Sequence, residues 1–133
     1  ATGMLGIGMM LLESVRASRA ALHRTAAVAL AADLGERIRA NRAAGDAYAL
    51  GAGTMAGAPA SGCTVSDGCD PAEVAALDLY QWQQAALAAL PAAEASVLVA
   101  PVNGLPANTF AISIRWAQPG DAEAASFVLR VQA

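Results

Sequence analysis

The chain has 133 residues, a formal net charge of -3 and 56% hydrophobic residues, about a quarter of all residues being alanine. That length makes one domain with a modest core, and the near-neutral balance lacks the basic excess of a nucleic-acid binder. No run of roughly 18 apolar residues occurs, which excludes a self-contained membrane-spanning helix.

Residues 4–44 are predicted as one long N-terminal helix, because no Pro interrupts them and Ala, Leu, Met, Glu and Arg dominate. At 1.5 Å per residue it is about 60 Å long, roughly twice the width of a small domain, so part of it must run past its partner. Its first part, residues 4–12, carries no charge and forms an apolar stub. The stub lacks the basic start and small-residue cleavage site of a signal peptide. Beyond it, Leu22, Leu30, Leu34 and Ile38 fall at spacings of four and its multiples with Ala26, an apolar row expected to pack on a sheet. Arg16, Arg19, Arg24, Arg37, Arg39 and Arg42 lie largely off that row, as does His23. Gly35 reads as a weak point costing about 1 kcal/mol relative to Ala, and Asn41 to Gly45 supply the stop.

Residues 45–70 shift to Gly, Ala, Ser and Pro and read as a loop. Cys63 and Cys69 bracket a turn-rich stretch near its end. An even count at short spacing, with a single distant His, favours a disulfide over a zinc site, and a disulfide implies an oxidising compartment. Asp70-Pro71-Ala72-Glu73 then supplies an N-cap, a Pro at the first helical position and an acid at the third. A second helix is predicted over 71–90, ending at Pro91, with Tyr80 and Trp82 as candidate partner contacts. The segment 95–132 changes to period two: Phe110, Ile112, Ile114 and Trp116 alternate with smaller or polar residues, as do Phe127, Leu129 and Val131. With turn signals at Asn103-Gly104 and Pro119-Gly120-Asp121, this predicts a three-stranded antiparallel meander. The fold class is therefore α+β: a long N-terminal helix on a small antiparallel sheet, a second helix and a disulfide-tied loop, all in one domain spanning 1–133.

Catalytic chemistry finds little material. His23 reads as a solvated helix-face residue, no Ser-His-Asp set forms without it, and both cysteines are consumed by the disulfide. Asp67-Gly68-Cys69-Asp70 lacks the alternating oxygen ligands of a calcium loop, and Gly51-Ala52-Gly53 precedes no phosphate-binding Lys. The sequence therefore predicts no enzyme, no cofactor and no metal.

Leu5-Gly6-Ile7-Gly8-Met9, the stretch from Ala29 to Arg42 (Ala-Leu-Ala-Ala-Asp-Leu-Gly-Glu-Arg-Ile-Arg-Ala-Asn-Arg), and Cys69-Asp70-Pro71-Ala72-Glu73 with Asp78-Leu79-Tyr80-Gln81-Trp82-Gln83 resemble type IV pilins. In particular they are similar to the minor pilins called type IV pilus modification protein, PilV. Gly8 followed by Glu13 has the spacing of a prepilin cleavage motif, but Arg16 and Arg19 arrive too early for the apolar segment such a motif precedes. The resemblance instead places Leu5 to Leu12 at the end of the pilin membrane segment, with the processing site upstream.

What the resemblance implies is a non-catalytic minor pilin. It would be anchored in the inner membrane of a bacterium through a helix continuing upstream, with its domain in the periplasm, and later be extracellular at the pilus tip. Its partners would be other minor pilins, the major pilin and a tip adhesin, in a priming complex serving motility, adhesion or DNA uptake. Met4, Leu5, Ile7, Met9, Leu11 and Leu12 would pack in the filament. Two alternatives are a pseudopilin of a type II secretion system and a small periplasmic ligand-binding module with a pocket lined by Trp82 and Trp116.

Overall fold

The computed structural model describes residues 2–58, 63, 68–100, 106–118, 120 and 122–133, with side chains from residue 6 onward. Helix α1 runs Thr2–Ala40, and a 3-10 helix Arg42–Tyr48 follows. Helix α2 spans Pro71–Ala89, and strands β1 (Glu94–Val99), β2 (Thr109–Trp116) and β3 (Ala125–Gln132) complete the chain. The strands form one antiparallel sheet in the order β1-β2-β3, with Val97 opposite Ile112 and Ile112 opposite Leu129. This is the expected α+β fold: a long helix, a second helix, a three-stranded antiparallel sheet and the Cys63–Cys69 disulfide. The expected turns at Asn103-Gly104 and Pro119-Asp121 lie outside the described residues, Gly120 excepted.

Period two on β2 places Phe110, Ile112, Ile114 and Trp116 inward, and all four are buried. They meet Ala27, Ala31, Leu34 and Ile38 of α1, each fully buried. Burying a large aliphatic side chain of this kind contributes about 1.5–3 kcal/mol. The buried residues of α1 alternate spacings of four and three, which keeps them in one arc of the helix.

Leu22 is a correction: it is 68% exposed rather than packed on the sheet. Each step of four overshoots a helical turn by about 40°, so between Ile38 and Leu22 a strict row swings by roughly 160° and leaves the core face. Leu30, nearer to Ile38, stays half-buried against the core.

Gly35 is also better understood from the fold. A Cβ there would lie 3.1 Å from Val131 Cγ2 and 3.8 Å from Leu129 Cδ2. The missing side chain lets α1 approach β3 closely, and that contact sets against the helix-propensity cost.

The helix predicted over 4–44 ends earlier, at Ala40, and the first part of the predicted loop is a 3-10 turn bent at Gly45, whose φ is 49°. Tyr48 ends that turn fully buried, and Leu50 then pairs with Val97 across the edge of β1 by two backbone hydrogen bonds of 3.0 and 2.9 Å. The start of α2 follows its sequence: Glu73 N–H donates to Asp70 Oδ1 at 2.9 Å and Asp70 N–H donates to Glu73 Oε2 at 3.0 Å, a reciprocal cap.

Candidate functional site: an unpartnered helix segment and its anchorage

Every described side chain from Gly6 through Arg19 is exposed. Within it Ile7, Met9, Met10, Leu11 and Leu12 are each at least 59% exposed. An apolar run of that kind, uncovered along about 9 Å of helix, marks a surface that something else is meant to bury. Ile7, Leu11, Val15 and Leu22 fall within an arc of about 80°, on the side of the helix opposite Ala27, Leu34 and Ile38. Thus α1 has two apolar faces, one filled by the sheet and one open. Met4 and Leu5, expected to share the packing role, have side chains outside the described set. No helix among the described residues is long and apolar enough to cross a membrane.

The C-terminal half of α1 is fixed by polar links as well as by the core. Arg37 Nη1 donates to Asp78 Oδ1 at 3.1 Å and to Gln81 Oε1 at 3.0 Å, while its Nε donates to Asp33 Oδ2 at 3.2 Å. Tyr48 Oη donates to Asp78 Oδ2 at 2.6 Å and accepts from Asn41 Nδ2 at 3.1 Å. Asn41 also donates to the Pro71 carbonyl at 2.9 Å. One carboxylate therefore receives both a guanidinium of α1 and the phenol of the 3-10 helix, fastening α1, that turn and α2 at a single point. Burial first, and then the hydrogen bond to Asp78, push the Tyr48 phenol well above its ordinary range. The stretch from Ala29 to Arg42 carries Arg37 and Asn41 in the sequence, but only the fold reveals Asp78 as the partner of Arg37 and Tyr48 as the partner of Asn41.

Trp82, a candidate partner contact from the sequence, is corrected: it is 1% exposed, and its Nε1–H donates to the Leu30 carbonyl at 2.9 Å. Tyr80 is half-buried. Gln83, next to Trp82, donates to the Thr54 carbonyl at 2.8 Å and accepts from Ala56 N–H at 2.6 Å, which holds the loop against α2. Trp116 is likewise 1% exposed, and the Arg24 guanidinium sits 5.9 Å from its ring centroid. With both tryptophans among the largest fully buried side chains, the space between them is filled core, which counts against a ligand pocket there.

The disulfide joins Cys63 and Cys69 across a sequence separation of six, with Cα atoms 5.5 Å apart. Glu73 lies close enough to group with these two sulfurs, but bonded cysteines offer no thiolate to a metal. His23 departs from its expected solvated position: it is half-buried, and its Nδ1 is shielded with no hydrogen-bond partner among the described residues. No Cys or acid groups with it among the described residues, so it assembles into no metal or acid-base set.

The long helix thus has an open apolar face at one end, and the sheet and α2 against its other half. The family model for the type IV pilin Tt1218 matches residues 9–80, more than half of the chain. The chain belongs to the Tt1218-like type IV pilin family. No curated protein and no solved structure matches it. The matched region holds both the open segment from Met9 and the polar fastening at Arg37, Tyr48 and Asp78, and it stops before the sheet. Type IV pilins are structural subunits of pilus assembly, and a pilin works by contact with other pilins.

Proposed function

We propose that this pilin is a minor pilin that joins other minor pilins in the tip complex priming type IV pilus assembly. The observation that carries this reading is the run of exposed apolar side chains at Ile7, Met9, Met10, Leu11 and Leu12 on a helix whose other half buries its inner face in the core. Burying that run against neighbouring helices supplies association energy, while the folded domain presents its loop and sheet to the same neighbours. The protein performs no chemistry in this role. It is held at the inner membrane before assembly, with the domain in the periplasm where the disulfide forms, and is extracellular afterwards.

The test is co-purification of the chain with each other minor pilin of its operon, alongside piliation of a deletion strain. A stable complex with at least one of them and a loss of surface pili are expected. A chain that stays monomeric with all of them, in a strain that pilates normally without it, contradicts the reading.

A further inference from the structure

Between the apolar run and the packed half of α1 lies a groove of about 220 Å³ lined by Leu12, Val15, Arg16, Arg19, Ala20 and Gln118. Arg37, Arg39 and Arg115 are ion-paired and Arg24 is stacked on Trp116, but Arg16 and Arg19 have no such partner among the described residues. The two guanidiniums stand one turn apart at the point where the helix ceases to be apolar. Gln118, just past the end of β2, faces the same groove with an amide that can donate.

We propose that Arg16, Arg19 and Gln118 clamp the phosphate of an anionic phospholipid headgroup at the membrane surface. The fork of Arg matches a phosphate bidentately, which Lys does not. Position selects a lipid over a free anion: the two guanidiniums follow directly on the exposed run from Ile7 to Leu12, so one helix offers contacts to an acyl surface and to a phosphate side by side. With the guanidiniums at the phosphate level, Leu12 and the residues before it fall in the acyl region and Leu22 onward in water. Glu13, the carboxylate nearest this level, stands three residues before Arg16 on the side away from Arg19 and forms no ion pair with it among the described residues. The domain is thereby held at a fixed height and rotation on the bilayer before it enters a pilus. This deepens the pilin reading and rests on it for the stage before assembly. Lipid binding and entry into the pilus are separate readouts, so either can fail alone.

The experiment is flotation of the chain with vesicles of phosphatidylglycerol or of phosphatidylcholine. Tighter partition onto phosphatidylglycerol is expected, and R16Q/R19Q lowers it roughly thirty-fold, while R42Q/R130Q, which removes two exposed arginines elsewhere, leaves it unchanged. R16K/R19K keeps the charge and falls part of the way, and inorganic phosphate at constant ionic strength does not release the protein. Both residues are exposed, so these variants fold. Equal partition onto the two lipids, no loss in R16Q/R19Q, an equal loss in R42Q/R130Q, full retention in R16K/R19K or release by inorganic phosphate each overturns the clamp. So does a complete lack of vesicle binding, which assigns the segment to a protein partner.

Discussion

The two halves of α1 are built from similar residues and end in opposite states. From Ala27 to Ile38 the helix has Ala, Leu and Ile at 0% exposure. From Ile7 to Leu12 it has larger and more apolar residues, all at least 59% exposed apart from Gly8, which has no side chain. Hydrophobicity alone would have buried the first half and left the second in water. Residues 27–38 have the sheet and α2 beside them, and residues 7–12 have no element of the described chain. The most apolar part of this helix is not part of the core, which is what a subunit needs when its remaining burial happens in an assembly.

Substitutions break the comparison most forcefully on the packed side. Leu34→Ala is expected to destabilise by about 2–5 kcal/mol, because it opens a cavity under a side chain with no exposure, and chemical denaturation would measure it. Leu11→Ala, the same chemistry twenty-three residues earlier, is expected to stay within about 0.5 kcal/mol in the same assay. Gly35→Leu tests the close approach of α1 to β3. It drives side-chain atoms into Val131 and Leu129 and is expected to cost about 1–3 kcal/mol, although Leu is the better helix former.

Tyr48→Phe sharpens the polar side of the same contrast. Losing the phenol leaves Asn41 and Asp78 each short of a partner, for an expected cost of about 1–2 kcal/mol. The variant also carries a pH signature. The wild-type phenol is held above its ordinary value of about 10, so the folded chain keeps its proton when the unfolded chain has lost it. Stability from this group is fully present below pH 10 and falls as pH rises beyond it. Tyr48→Phe is expected to remove that part of the alkaline decline, as melting curves across pH 9 to 11 would reveal.

The order of elements was legible in the sequence because each announced itself locally. The alternation of Phe110 to Trp116 gave β2, Asp70-Pro71 gave the start of α2, and an uninterrupted helix-forming run gave α1. Errors arose where tertiary geometry decided. Leu22 was placed in the core by a spacing of four that drifts round the helix. The 3-10 turn straddles the predicted end of the helix at 44 and the start of the predicted loop, because its residues carry no period, and its order comes from Tyr48 reaching α2. For Trp82 the sequence leaves core and partner contact both open, because the acceptor that decides it, the Leu30 carbonyl, lies fifty-two residues away. The candidate site divides in the same way: the apolar run is plain in composition, whereas the groove that ends it needs Gln118 from just past the end of β2.

The central claim is that residues 7–12 serve assembly and residues 27–38 serve folding. Its most direct test is Leu11→Glu in the full-length pilin, followed in two places: the melting temperature of the purified domain and the amount of the chain in pili sheared from cells. The account predicts a wild-type melting temperature together with a chain missing from the pili. Normal incorporation, or a melting temperature that falls as far as that of Leu34→Ala, would contradict it.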